Sequence, residues 1–235
     1  MKTALLISGK LRFSKDGIES LKTNIIDVFK PDIFCSFWDD APNSAHQYYI
    51  NELSPKSYDV ENFNLLSSQF VQWFPYNIIY QNLVPMLWKF QKVNSLKQSY
   101  ELANNFKYDF VIQARPDGIY FEKFPFSEAI ACMNEKCTKT TLAFSPDIDP
   151  FISPRMADTL FVGDNESMNL TAKTFWLLRD QLVDNFNASM HHHNRIPEIV
   201  QSQIWNKLGI KISTISGTSK YNQFNWDLDR NYLNF

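Results

Sequence analysis

The chain has 235 residues, 44% of them hydrophobic and 15% aromatic, which is enough apolar material for one domain with a substantial core. This composition argues against an intrinsically disordered protein. The formal net charge of −2 argues against general binding of nucleic acids through their phosphates. We therefore expect one globular domain over residues 1–235, with no nucleic acid partner.

The amino-terminal third is predicted to begin with strand, helix and strand. Ala4 to Ser8 form the first predicted strand, because this apolar run is too short for the hydrophobic core of a signal peptide. The helix that follows repeats apolar residues at helical spacing, at Ile18, Leu21, Ile25 and Val28. Ser14 is its predicted cap and Pro31 its end, and a second strand begins at Asp32. No stretch approaches the roughly 18 apolar residues that a membrane-spanning helix needs.

The middle of the chain leads to a buried strand with charged residues at its end. Residues 39–80 show no clear period and predict a long connection with short helical pieces. A long helix is predicted to begin near Pro85, with an apolar stripe of Met86, Phe90, Val93, Leu96 and Tyr100. Phe110 to Ala114 then form a strand, which Pro116 and Gly118 end.

Strands and helices continue to alternate in the second half. Further strands are predicted in the segments GIYFEKF from Gly118, TTLAF from Thr140 and TLFVGD, and from Ile210 to Ile215. One helix carries Met168, Ala172, Phe175 and Leu182 on one face. Another is predicted to run from near Pro197 to Gly209. The alternation predicts an α/β fold with a mostly parallel sheet that helices cover on both faces.

Arg115 and Asp117 are the first candidates for a functional site. They lie two residues apart at the carboxyl end of a buried strand, which is where open α/β sheets bind ligands. An arginine fork suits a diphosphate, and a carboxylate suits Mg²⁺ or a sugar hydroxyl. The alternative is that Asp117 is a turn residue that caps its own backbone beside Pro116 and Gly118.

The turn SGKLRF after the first strand supplies further candidates. Ser8 and Gly9 would let a ligand approach the backbone, while Lys10 and Arg12 would reach a phosphate. The alternative is that both cations are ordinary surface residues of a strand-to-helix turn.

Acidic residues in the second half are candidates for a general base. Asp158 precedes an apolar strand and is the first candidate for the base. The alternative is that Asp158 is a loop or capping residue. Asp164 follows that strand and is the predicted cap of the next helix. Glu198, just after Pro197, either acts in catalysis or favours the first turn of its helix through the helix dipole.

Taken together, these segments resemble small nucleotide-sugar glycosyltransferases of the GT-A fold, of the type found in bacterial surface-polysaccharide clusters and in some large viruses. The resemblance rests on the order of ALLISGKLR, DIFCSFW, YDFVIQARPD, ADTLFVGDNESM and PEIVQSQIWNKLGI. It implies one domain, with a nucleotide-binding half at about 1–120 and an acceptor-side half at about 121–235. It also implies a nucleotide-sugar donor and a glycan acceptor.

The resemblance also implies roles for the candidate residues. Lys10, Arg12 and Arg115 would bind the diphosphate with Ser8 and Gly9, and Asp117 would hold a metal ion or the donor sugar. Asp158, with Glu198 as the second candidate, would be the base of an inverting enzyme. The chain departs from the family because R-x-D replaces the usual D-x-D. Dependence on Mn²⁺ or Mg²⁺ therefore stays open, and Arg115 would neutralise the leaving diphosphate instead.

Two other functions remain as alternatives. A sugar nucleotidyltransferase would share the sheet but normally has a longer glycine-rich first loop than SGKLRF. A non-catalytic module that binds nucleotides or carbohydrates would keep the aromatic residues and lack the base. The odd number of cysteines, three, fits a reducing compartment, so we expect a cytoplasmic protein.

Overall fold

A computed structural model of the chain describes residues 1–11, 15–39, 45–73, 83–120, 123–124, 127, 129–131, 140–143, 160–178, 201, 204–214 and 226–228.

The described strands form a seven-stranded sheet and a separate two-stranded sheet. In order across the large sheet, the strands are β3 (Ser57–Glu61), β2 (Asp32–Trp38), β1 (Thr3–Gly9), β4 (Phe110–Ala114), β7 (Leu160–Asp164), β6 (Thr140–Ala143) and β8 (Lys211–Thr214). The small sheet pairs β5 (Gly118–Tyr120) with β9 (Trp226–Leu228) in antiparallel fashion.

The large sheet is mostly parallel, as predicted. Strands β3, β2, β1 and β4 all run in the same direction, and β6 and β8 are parallel to each other. Strand β7 is antiparallel to both of its neighbours, β4 and β6.

Helices cover both faces of this sheet. They are α1 (Lys15–Leu21), the π-helical segment Lys22–Ile26, α2 (Asp27–Phe29), α3 (Ala45–Leu53), α4 (Phe63–Trp73), α5 (Leu83–Ala103) and α6 (Asn165–Thr171). Residues 174–178 and 204–207 are also helical. In the described part of the chain, no helix combines the length and the apolar character needed to cross a membrane.

The core consists of two apolar layers, one on each face of the sheet, because successive strand residues point to opposite faces. Helix α5 covers the first layer, which includes Leu6, Phe34, Leu87, Phe90, Val93 and Val111. Helices α1 and α3 cover the second layer, which includes Leu5, Ile7, Ile18, Leu21, Tyr49 and Leu53. The fully buried strands β1 and β4 are therefore fixed from both sides.

Two features differ from the prediction. Strand β3 lies within residues 39–80, where only short helical pieces were predicted. Its residues are only partly buried at the edge of the sheet, so the segment SYDVE lacks an apolar pattern. Val28, predicted on the apolar stripe of the first helix, is 37% exposed. The π-helical segment before it has more residues per turn, which shifts later residues around the helix axis.

Asp164 caps helix α6, as predicted. Its Oδ1 atom accepts a hydrogen bond from the Ser167 backbone N–H at 2.7 Å, and Ser167 Oγ donates to Oδ2 at 2.8 Å. We expect Asp164→Ala to lower the free energy of unfolding by about 1 kcal/mol, because an N–H of the first turn loses its partner. Urea denaturation measures this, with Asp164→Ser as the control that retains a capping oxygen. Equal losses in both variants would contradict a capping role.

Candidate functional site

The strand order places a crevice between the ends of β1 and β4. From β1 the chain forms β2 and then β3 on one side, and it returns through α5 to form β4 on the other side of β1. Ile7 is paired with Ala114, so both parallel strands end at the same edge of the sheet. Open α/β sheets bind ligands at such a reversal of strand order. The SGK turn and the R-x-D segment therefore meet at one topological switch point.

The turn after β1 presents backbone and a lysine at this edge. Gly9 has φ = +123°, a conformation that favours glycine, and nothing lies within 4 Å of the position that a Cβ atom would occupy. Lys10 is exposed, whereas the next residue, Leu11, is buried in the core and anchors the turn. This arrangement fits the predicted approach of a ligand to the backbone.

The Ser8 hydroxyl is bound to a residue that sequence reasoning missed. Gln113 Nε2 donates a hydrogen bond of 2.9 Å to Ser8 Oγ, and both side chains are buried on the α5 face. The bond ties the end of β1 to the end of β4. The sequence signal was the single polar residue in the otherwise apolar strand FVIQA.

Arg115 and Asp117 form a two-pronged ion pair with each other. Arg115 Nε donates to Asp117 Oδ1 and Nη2 donates to Oδ2, both at 2.8 Å. The Asp117 side chain is 2% exposed and that of Arg115 is 22% exposed. The sequence predicted both residues at the strand end but assigned each to a different part of a ligand. Their mutual ion pair was not predicted, because a sequence pattern does not report side-chain rotamers.

This ion pair bears on the predicted metal site. Both carboxylate oxygens of Asp117 accept hydrogen bonds from Arg115, so a divalent cation at this carboxylate would share it with a guanidinium. Within the described ranges, no group of three or more His, Cys, Asp or Glu side chains is arranged to hold a metal ion. Metal binding by Asp117 stays a prediction.

Two buried tyrosines contact the backbone of the same turn. The Tyr49 hydroxyl donates to the Pro116 carbonyl at 2.9 Å, and the Tyr120 hydroxyl donates to the Arg115 carbonyl at 3.4 Å. Burial, followed by the charge of Asp117, raises the pKa of Tyr120 far above its ordinary value, which keeps this hydroxyl protonated. We call Tyr49 and Tyr120 the tyrosine brace.

The helix that follows the β1 turn holds the backbone of Tyr120. The Tyr120 N–H donates to Ser20 Oγ at 3.0 Å, and Asn24 Nδ2 donates to the Tyr120 carbonyl. The Phe124 N–H donates to the Asn24 carbonyl at 3.0 Å. Asn24 lies in the π-helical segment, so α1 and this segment together position β5.

Gly118 packs closely against the Tyr120 ring. A Cβ atom at this position would lie 2.8 Å from the Tyr120 hydroxyl oxygen and 3.0 Å from the ring carbon that carries it. We expect Gly118→Ala to lower the free energy of unfolding by about 1–3 kcal/mol through this overlap. In a double-mutant cycle measured by urea denaturation, adding Tyr120→Phe should recover part of that loss. Strict additivity of the two substitutions would contradict the predicted overlap.

A second charged cluster lies farther along the same edge, where β2 and β3 end. Glu61 binds Lys89 at 2.8 Å, Trp88 Nε1 at 2.8 Å and Lys92 at 3.2 Å. The Lys89 side chain is fully buried, with Asp59 Oδ2 3.6 Å from its Nζ atom. Burial lowers the pKa of Lys89. Burial raises the pKa of Glu61, but hydrogen bonds from Lys89, Trp88 and Lys92 outweigh it, so the pKa of Glu61 is lowered.

Three predicted site residues lie outside the described residues. They are Arg12 in the first turn and the two candidate bases, Asp158 and Glu198. Their roles stay predictions, as does the division into a nucleotide-binding half and an acceptor-side half.

The chain resembles known proteins in structure and not in sequence. No protein-family model matches the sequence, and no curated protein matches it. The chain is similar to the solved structure of mouse xyloside xylosyltransferase 1 in its apo form, with a TM-score of 0.46 and 8% sequence identity. The match covers 90% of this chain and 84% of that chain. A likeness at this level does not identify a function.

Proposed function

We propose that the protein is a glycosyltransferase that moves a sugar from a nucleotide-sugar donor to a hydroxyl of a glycan or other acceptor. The observation that carries the proposal is the switch point between β1 and β4, with Gly9 and Lys10 at the end of β1 and Arg115 and Asp117 just after β4. Ligands of open α/β sheets bind at such crevices. Buried, unpaired Cys35 fits the expected cytoplasmic location.

The proposed chemistry requires positive charge at one end of the crevice. Sugar transfer passes through an oxocarbenium-like state while negative charge builds on the leaving diphosphate, so fixed donors there lower the barrier. Lys10 is exposed at the crevice, and the Arg115 guanidinium is held in place by Asp117. A guanidinium carries five N–H donors in a planar fork, so in this proposal Arg115 binds Asp117 and a phosphate oxygen together.

No step of this mechanism passes through a metal ion. At Asp117, Mn²⁺ or Mg²⁺ would share the carboxylate oxygens with Arg115. In this proposal the positive charge of Arg115 offsets the charge of the diphosphate, as a metal ion does in related chemistry.

The test is turnover of a panel of nucleotide sugars. The protein is incubated with UDP-, GDP-, CDP- and dTDP-sugars, with and without Mn²⁺, and released nucleoside diphosphate is measured. We expect slow release from at least one donor, with less release by Lys10→Glu. Pyrophosphate released from a nucleoside triphosphate and a sugar phosphate would favour a nucleotidyltransferase. Binding of a nucleotide sugar without turnover or transfer would favour a non-catalytic module.

The general base is the second element of the proposal. Asp158→Asn is expected to reduce sugar transfer by about 10²- to 10⁴-fold with nearly unchanged donor affinity, because a base acts on the acceptor hydroxyl. Transfer rates and donor titrations check this once a donor and an acceptor are in hand. Glu198→Gln is the matched comparison, and a large effect there with none at Asp158 would exchange the two roles. An equal loss of donor affinity in Asp158→Asn would remove Asp158 from the role of base.

A further inference from the structure

We propose that the tyrosine brace is a positioning device that sets the Arg115–Asp117 pair relative to the turn after β1. The brace would position the ion pair whether or not the proposed function is correct. The effect of this positioning on ligand binding rests on the proposed function. Tyr49 comes from α3 and Tyr120 from β5, so two separate elements hold one short turn.

The brace acts on two consecutive carbonyl groups. Tyr49 and Tyr120 donate to the carbonyls of Pro116 and Arg115, and the two rings are 0% and 1% exposed. Arg115 precedes a proline, which already restricts its backbone to extended conformations. Fixing both carbonyl directions therefore leaves little freedom in the backbone from which the Arg115 and Asp117 side chains extend.

Tyr120 also connects the helical segment that follows β1 with the ion pair that follows β4. Ser20 and Asn24 bind its backbone N–H and carbonyl, and both belong to the helical segment that follows the β1 turn. The Tyr120 ring then reaches back to Arg115, so one residue ties that helix to the ion pair. Asn24 lies in a π-helical segment, a departure from α-helix that is frequent at functional sites.

The hydroxyls can be separated from core packing by experiment. Tyrosine to phenylalanine keeps the ring and its apolar contacts and removes only the hydroxyl. A purely structural hydroxyl would change the melting temperature and leave the dynamics of the native ion pair unchanged. A positioning hydroxyl must change the ion pair itself, and misplacement of about 1 Å is enough to impair a site 10²-fold.

The first readout is hydrogen exchange at Arg115 Nε–H, followed by ¹⁵N NMR. The signal is assigned by its disappearance in Arg115→Lys. Tyr49→Phe is expected to speed this exchange about fivefold, the factor that corresponds to losing one typical hydrogen bond. Tyr120→Phe should speed it less, because its hydrogen bond is longer, at 3.4 Å. Tyr58→Phe is the matched control, since Tyr58 is 49% exposed on β3. Unchanged exchange in both brace variants would overturn the proposal, even if their melting temperatures fall.

The second readout is binding of inorganic pyrophosphate, measured by calorimetry without metal. Wild type and Tyr58→Phe should bind equally, and each brace variant severalfold more weakly. Failure of wild type to bind would count against the proposed function. The exchange measurement would then still test whether the tyrosine brace positions the ion pair. Wild-type binding that Arg115→Ala abolishes but the brace variants retain would overturn the positioning role and leave the proposed function intact. Faster exchange with unchanged affinity would also overturn that role.

Discussion

Arg115→Ala is expected to reduce turnover of a nucleotide sugar by about 10²- to 10³-fold, because it removes a fixed charged donor aimed at the leaving group. It should also destabilise the protein by about 3 kcal/mol, because Asp117 is 2% exposed and loses its counterion. The two effects have different causes. Turnover must therefore be expressed per folded molecule, with the folded fraction taken from circular dichroism.

A matched set of variants separates the catalytic effect from the structural one. Arg115→Ala with Asp117→Asn removes both charges, so most of the stability should return while turnover stays low. Arg115→Lys keeps the charge and loses the two-pronged geometry. If turnover returns together with stability in the double variant, Arg115 is only the structural partner of Asp117. The series is run with and without EDTA, and complete loss of native activity in EDTA, restored by Mn²⁺, would overturn the replacement of metal by Arg115.

Glu61→Gln is expected to lower the free energy of unfolding by about 3 kcal/mol at neutral pH, because it leaves the buried Lys89 without its closest counterion. Lys89→Met should have a much smaller effect. The apolar side chain of methionine fits the buried position, and Glu61 keeps its contacts with Trp88 and Lys92. Urea denaturation of the two variants measures this asymmetry, and equal losses would contradict it.

The effect of Glu61→Gln should also depend on pH in a defined direction. The folded protein lowers the pKa of Glu61 from its ordinary value of 4.5, mainly through Lys89 against the opposing effect of burial. Its stabilising contribution is therefore complete above that value and is lost as the pH falls through the lowered pKa. Denaturation between neutral pH and pH about 3 should show wild type and Glu61→Gln converging, within the stable range of both. A constant difference over that range would contradict the assignment.

The sequence predicts those parts of the fold that depend on local apolar patterns. Strands β1, β2, β4 and β7 are nearly continuous apolar segments because helices or other layers cover them. Strand β3 was not predicted, because an edge strand with polar residues has no continuous apolar segment.

The location of Arg115 and Asp117 after β4 was predictable, but their contacts were not. Arg115 and Asp117 follow a buried strand, so their place at the sheet edge could be inferred from the turn residues after it. Their mutual ion pair depends on side-chain rotamers, and no spacing rule reports those. Tyr49 lies 67 residues from the Pro116 carbonyl that it binds, in a segment without periodicity. Contacts of this kind arise only when the chain folds.

The most direct test is a crystal structure of the protein with bound nucleoside diphosphate, using whichever of UDP, GDP, CDP and dTDP binds most tightly in a thermal-shift screen. We predict diphosphate density in the crevice between β1 and β4, within hydrogen-bond distance of the Gly9–Lys10 backbone or the Lys10 side chain and of Arg115. Diphosphate density beyond the reach of both Lys10 and Arg115 would contradict the proposed site, and with it the function inferred from the switch point.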